Sequence, residues 1–234
     1  DKVFALHVAP ELPVGTVSLS AGVQNASSDT FSIEITGKGT HGATPHLGID
    51  PITTGCTIVT ELSLIRSKLF DALEPFLINV CQFTSGYADN VAPETAVIKG
   101  TVRCLSEELR SQVQSHIERI SRSVCSMKGC KCSITYNRVA PVLINSKEEA
   151  ELAAKAISEC GYTVESLAAP RLIAEDFACL LKEAPGCIFA LGCGNADKGL
   201  TASLHSPNFD MDEACLQVGL ECMLAIYLKL TESR

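Results

Sequence analysis

Residues 29–51 read "DTFSIEITGKGTHGATPHLGIDP", and three kinds of local structure follow one another within them. Phe31, Ile33 and Ile35 occupy alternate positions with polar residues between them. Successive side chains of a strand point to opposite faces, so this pattern predicts a half-exposed strand. The glycine-rich run that follows breaks it. Asp50-Pro51 then supplies a helix N-cap and a first-turn proline, whose missing N–H costs nothing there. His41 and His46 lie in the turn. Pro45 pushes the residue before it out of the α region, which argues against both imidazoles sharing one helix face.

Outward from this stretch, apolar residues at 52, 56, 58, 59, 62, 65 and 69 give the expected helix. "FLINVCQFTSG" (76–86) and "TAVIKGTVRCL" (95–105) read as strands. Ser106 caps a second helix, with Glu107 and Glu108 suited to its dipole and an apolar stripe at 109, 113, 117, 120 and 124. "CSITYNRV" (132–139) is a further strand. The order β-α-β-β-α-β defines a ferredoxin-like unit over residues 28–140.

The flanks have a different style. "VFALHV" (3–8) is a continuous apolar run closed by Pro10 and Pro13, which suits a strand of a parallel sheet, and "CIFALG" (187–192) resembles it. Ser146 and Glu149 read as a capping box opening a helix. Glu175-Asp176 starts a short helix, and Asp210-Met211-Asp212-Glu213 a long last one. Residues 1–27 and 141–234 are therefore expected to be parts of one α/β sheet domain, with 28–140 inserted. Ligands of such sheets sit beyond the carboxyl ends of the strands. His7 is expected at a strand's end and His205 in the loop after a strand.

The net charge of −8, from 19 basic and 27 acidic residues, comes with no basic run. That argues against nucleic acid and for small-molecule or peptide partners. No apolar run reads as a bilayer span, and no membrane partner is expected. The 12 cysteines are scattered, mostly in apolar stretches. Without a secretory signal they point to the reduced cytoplasm. Cys125, Cys130 and Cys132 read as a lysine-rich turn entering a strand rather than as a zinc site. The chain opens on "DKVFALHVAP", without methionine and inside an apolar run, so it is expected to lack an N-terminal part.

"LHV-x-P-x-LPVG" (6–15), "GKGTHGATPH-x3-DP" (37–51), "NVAPETAVIKGTVR" (90–103), "AEDFA" (174–178) and "LHSPNFDMDE" (204–213) occur in this order. Together they resemble the amidohydrolase branch of the di-metal aminoacylase and carboxypeptidase G-like metallopeptidases. That branch includes N-acyl-amino-acid, hippurate and auxin-conjugate hydrolases. The resemblance implies an α/β catalytic domain holding two divalent metals, zinc or manganese, and an inserted lid that dimerises. It implies His7 and His205 as metal ligands and His41 as the catalytic donor to the substrate carbonyl, often across to a partner subunit. His46 is left a structural role. Asn90 and Arg103 match substrate-binding positions. Arg103 is either a carboxylate clamp or an exposed strand arginine, and Asn90 a binding or a turn residue. Glu175 is either near the pocket or a first-turn acid.

The family's remaining ligands lie in an upstream Gly-His-Asp-like turn, a Cys or Asp, and a Glu-Glu pair whose first member is the general base. No Gly-His-Asp occurs here. Glu107-Glu108 and Glu148-Glu149 both sit at helix starts, where dipole effects explain them. The expected activity is metal-dependent hydrolysis of an amide in N-acyl amino acids or small dipeptide-like substrates, with an incomplete metal site in this chain. The alternatives are a non-catalytic fragment or pseudo-enzyme keeping the lid for dimerisation or binding, and a ferredoxin-like regulatory module.

Overall fold

A computed structural model describes residues 1–232. In chain order the strands are β1 (Val3–Pro13), β2 (Thr16–Ser18), β3 (Gly22–Asn25), β4 (Ser28–Thr36), β5 (Thr40–His41), β6 (Phe76–Ser85), β7 (Val91–Ala92), β8 (Thr95–Cys104), β9 (Lys131–Ala140), β10 (Leu143–Asn145), β11 (Thr163–Glu165) and β12 (Gly186–Gly194). The helices are α1 (Pro51–Leu69), α2 (Glu107–Lys128), α3 (Lys147–Glu159), α4 (Phe177–Leu180) and α5 (Ala214–Glu232). Two compact units emerge. One comprises residues 1–24, 143–170 and 176–234; the other comprises 25–142 and 171–175. Segment 171–175 joins the second unit because the Ala26 N–H donates to the carbonyls of Arg171 and Ile173.

In the unit centred on 25–142, four antiparallel strands lie in the order β6-β8-β4-β9. Both long helices pack on the sheet. Phe31, Ile33 and Ile35 of β4 meet Ile98 and Val102 of β8, Ile58, Leu62 and Ile65 of α1, and Val113 and Ile117 of α2 in one core. Asp50 caps α1 by accepting from Ile52 N at 2.8 Å and Thr53 N at 3.4 Å. Ser106 Oγ caps α2 through Leu109 N, and Gly129 ends it in the left-handed region, where an L side chain is strained. The buried seam of α1 differs from the apolar positions in its sequence: Thr54 and Gly55 are inside, while Ile52 and Leu69 are exposed. A 3.6-residue period fixes the seam by angle, and Gly55 leaves room for the Phe83 ring, whose Cζ would lie 2.6 Å from a Cβ there.

A fully buried ion pair anchors this unit. Arg110 Nε donates to both Asp29 oxygens at 3.0 Å, and Tyr136 Oη donates to Asp29 at 2.8 Å. Arg110 also reaches the Ala140 carbonyl and Glu107. Burial opposes its charge, but the bonds from Asp29 and Glu107 raise the Arg110 pKa above its ordinary value. Cys125 and Cys130 are core residues, and burial pushes the Cys125 thiol up to about 12. A thiol held protonated is a poor zinc ligand.

In the other unit the four-stranded sheet has the order β1-β12-β2-β11. It is mixed, not purely parallel: β1 runs parallel to β12 and β2 to β11, but β12 and β2 are antiparallel. The first strand continues to Pro13 instead of stopping at Pro10. It lies at the sheet's edge, where a proline breaks no ladder bond, and its register shifts between Ala9 and Pro13. Helices α3 and α5 cover one face through Ala153, Ile157, Cys215, Cys222 and Ile226. On the other face Leu143, Phe177 and Ala178 pack with Val3, Ala5 and Ile188.

The capping box expected at Ser146 does not form. Ser146 Oγ accepts from Gly186 N at 3.1 Å, tying helix start to strand start, and Glu149 is buried in an ion pair with Lys2 at 2.8 Å. The last helix begins at Ala214 rather than Asp210. By length and composition, 19 residues with a mean hydropathy of 1.4, α5 meets the requirement for crossing a bilayer, contrary to the sequence reading. Here its buried seam lies on β12, and its Glu221 accepts from Tyr162 Oη.

Candidate functional site

His7 and His41 fall in different units, and the sequence folds differently around each. His7 is the fifth residue of β1 and pairs with Ala190, two residues before the regular ladder with β12 ends at Ala9. It is thus near the ladder's end but not at the strand's end. Alternation puts it on the same face as Val3 and Ala5, and its side chain is exposed. Its Nδ1 lies 2.9 Å from the Val8 carbonyl. A carbonyl only accepts, so Nδ1 carries the proton and Nε2 keeps its lone pair. Metal-ligating histidines are oriented in this way, one nitrogen donating to the protein and the other left for the ion.

His205 lies in the same unit, in the turn Ser203–Ser206, where the Ser206 N–H donates to the Ser203 carbonyl at 3.2 Å. Its φ of 63° makes it the one non-glycine residue with positive φ among the described residues. That conformation costs about 1–2 kcal/mol for an L residue, and such strain concentrates at functional sites. Asp212 fixes the C-terminal side of this loop. Its carboxylate accepts from Asn195 Nδ2 at 2.6 Å, Lys198 Nζ at 2.9 Å and Ala214 N at 3.2 Å. These bonds, from Asn195 foremost and then Lys198, hold its pKa at about 2.

His41 is built by close backbone approach. Strands β5 and β7 form a short antiparallel ribbon, Thr40 opposite Ala92 and His41 opposite Val91. The Gly42 N–H donates to the Asn90 carbonyl at 2.8 Å. A Cβ on Gly42 would lie 2.9 Å from that oxygen, closer than real Cβ contacts come. The glycine spacing that broke the strand pattern therefore positions both His41 and Asn90 on one ribbon. The Ala43 N–H donates to His41 Nδ1 at 3.1 Å. A backbone N–H only donates, so in the neutral ring Nε2 bears the proton. His41 presents a donor where His7 presents a lone pair. A cleft of about 320 Å³ adjoins the ribbon, lined in part by Thr40, Ile49, Asp50, Asp89 and Pro93.

His46 lies exposed in the 3-10 turn Pro45–Leu47 before the Asp50 cap. Arg103 lies on β8 on the face away from the core, opposite Leu77 of β6, and is half-buried. Glu175 is half-buried just before α4, and Asp176 occupies that helix's N-cap position without a side-chain cap bond. Among the described residues no group of three or more His, Cys, Asp or Glu is gathered to hold a metal ion. His7 and His205 fit a divalent metal as individual imidazole donors and do not complete a site. The Ala43 N–H and the Asp212 network lie outside the candidate site residues that the motifs mark. Only the glycines around His41 signalled the first, and nothing in the spacing of Asn195, Lys198 and Asp212 signalled the second.

A model of peptidase family M20/M25/M40 matches residues 1–229, and the chain belongs to that family. It is 36% identical over 220 residues to thermostable carboxypeptidase 2 of Saccharolobus solfataricus, covering 94% of this chain and 56% of that protein. It is 34% identical over 227 residues to N-acetyldiaminopimelate deacetylase of Bacillus subtilis, covering 97% of this chain and 59% of that one. A solved dinuclear metal-binding peptidase of the M20 family from Bacillus subtilis superposes with a TM-score of 0.80 at 27% identity, over 98% of this chain and 58% of its own. The chain thus spans between half and two thirds of the length of these relatives.

Proposed function

We propose that this chain belongs to a metal-dependent amidohydrolase that cleaves the amide bond of N-acyl amino acids or small dipeptide-like substrates. The observation that carries the reading is the opposite hydrogen bonding of two histidines: His7 Nδ1 donates to a carbonyl, and His41 Nδ1 accepts from an N–H. One ring is set as a ligand and the other as a donor. The relatives' names, a carboxypeptidase and an N-acetyl deacetylase, share hydrolysis of an amide as their chemistry.

In this reading His7 and His205 contribute to holding two divalent ions, zinc or manganese, and the remaining donors and the general base come from protein outside these 234 residues. When bound, such ions supply Lewis acidity to the scissile carbonyl and to the attacking water. His41 Nε2–H donates to the carbonyl oxygen as charge develops on it, a contact that strengthens toward the transition state. Arg103 and Asn90 hold the free carboxylate of the amino-acid half, for which a guanidinium fork is suited, and Glu175 borders the substrate pocket. The β6-β8-β4-β9 sheet with α1 and α2 is a ferredoxin-like lid that also forms a homodimer. Twelve free cysteines fit a cytoplasmic protein.

The test is hydrolysis of N-acetyl-L-methionine by the full gene product loaded with zinc or manganese. Activity should disappear with a chelator and return with metal. Absence of hydrolysis in the metal-loaded protein would favour the non-catalytic reading.

A further inference from the structure

Arg103 is not left to find its own position. Its Nη1 donates to the Thr101 hydroxyl, two residues back on the same face of β8, and to the Val102 carbonyl at 2.9 Å. The Thr101 hydroxyl donates in turn to the Asp29 carbonyl at 2.8 Å. A hydroxyl has one proton and two lone pairs, so its single donor is committed to Asp29 and a lone pair is turned to Arg103. Asp29 is itself immobilised, because its fully buried carboxylate is held by Arg110 and Tyr136.

All of the Arg103 bonds run through Nη1, so the Nε–Nη2 edge has no partner among the described residues. That edge presents two parallel N–H groups, the geometry that takes a carboxylate in a bidentate manner. A long arginine side chain otherwise loses rotamer freedom on being fixed by its ligand. Here the sheet has already fixed it, and pre-organisation of this kind favours binding.

We infer that Thr101 is a positioning residue for substrate: its hydroxyl, anchored on the Asp29 backbone, holds the Arg103 fork open toward the carboxylate of an N-acyl amino acid. The inference rests on the carboxylate-binding reading of Arg103. An exposed arginine with no ligand would need no such tether.

The experiment compares Thr101→Val, which keeps the shape and removes the hydroxyl, with Thr101→Ser, which keeps the hydroxyl. Both are made in the full, metal-loaded gene product alongside Arg103→Ala. Thr101→Val should raise KM for N-acetyl-L-methionine about 10-fold, the lower end of what a hydrogen bond to a charged group contributes, with kcat and the melting temperature nearly unchanged. Thr101→Ser should restore KM. In ¹⁵N spectra the Arg103 Nη groups should rotate slowly in the wild type and Thr101→Ser, and freely in Thr101→Val. Slow rotation in Thr101→Val, or failure of the serine to restore KM, overturns the tether. A raised KM in Arg103→Ala with a wild-type KM in Thr101→Val overturns the role of Thr101 alone. An unchanged KM in Arg103→Ala overturns the carboxylate reading itself and the role of Thr101 in binding with it.

Discussion

The edge strand that carries His7 and the glycine ribbon that carries His41 solve the same problem, holding an imidazole at the surface, by opposite means. On β1 the ring is presented by a regular ladder, and its own neighbour's carbonyl takes the Nδ1 proton. On the ribbon, two residues of pairing, a side chain-free Gly42 and the Ala43 N–H leave Nδ1 as an acceptor. In the proposed function a ligand ring needs a lone pair on Nε2, and an oxyanion donor needs a proton there. The difference teaches that the backbone group meeting Nδ1 selects whether Nε2 presents a lone pair or a proton, through chemistry that residue type alone does not reveal.

The strongest way to break this contrast is to remove each ring in turn. His7→Ala should abolish metal binding at its site, an effect larger than the roughly 10–100-fold loss seen when only an outer-shell partner is removed. Metal content by mass spectrometry and activity should fall together. His41→Ala should leave metal content unchanged and lower kcat by about 100–1,000-fold, as loss of one oxyanion donor does. Loss of metal in His41→Ala would erase the distinction.

The contrast is sharpened by moving the ribbon without touching the ring. Gly42→Ala sets a Cβ against the Asn90 carbonyl, shifting His41 and Asn90 together. A displacement of about 1 Å can cost up to roughly 100-fold in rate, so kcat should drop by about 10–100-fold with metal content intact. An unchanged kcat would show that the ribbon does not position the donor.

The smallest effect expected is on pH dependence near His205. Asp212 has its pKa lowered from 3.8 to about 2, so its bonds stabilise the folded loop above the unfolded value. That contribution is lost as pH falls from about 4 through about 2. Protection against amide exchange in residues 200–212, taken relative to the unstructured-chain rate at each pH, should fall over this window, and Asp212→Asn should flatten the dependence. An identical profile in the variant would remove Asp212 as the support of the loop.

The alternation of Phe31, Ile33 and Ile35 and the Asp50-Pro51 signal made β4 and α1 legible, because strand faces and helix caps are local properties. The mixed direction of the β1-β12-β2-β11 sheet was not legible. Strand direction depends on which elements pair across distant sequence, and β2 is only three residues long. Ser146 misled for a related reason: a capping box is a local pattern, and a tertiary bond from Gly186 outcompeted it. For the site, the motifs singled out His7, His41, His205, Asn90 and Arg103. The shared ribbon of His41 and Asn90 follows from backbone contacts between residues far apart in sequence. The tautomers follow from carbonyl and N–H groups that every residue carries, so no residue pattern announces them.

The most direct test of this account is the two-bond ¹H–¹⁵N correlation spectrum of the histidine rings in the metal-free protein, at a pH where the imidazoles are neutral. His7 should show its proton on Nδ1 and His41 its proton on Nε2. The same tautomer in both rings, or the two reversed, would contradict the assignment of one histidine as ligand and the other as donor.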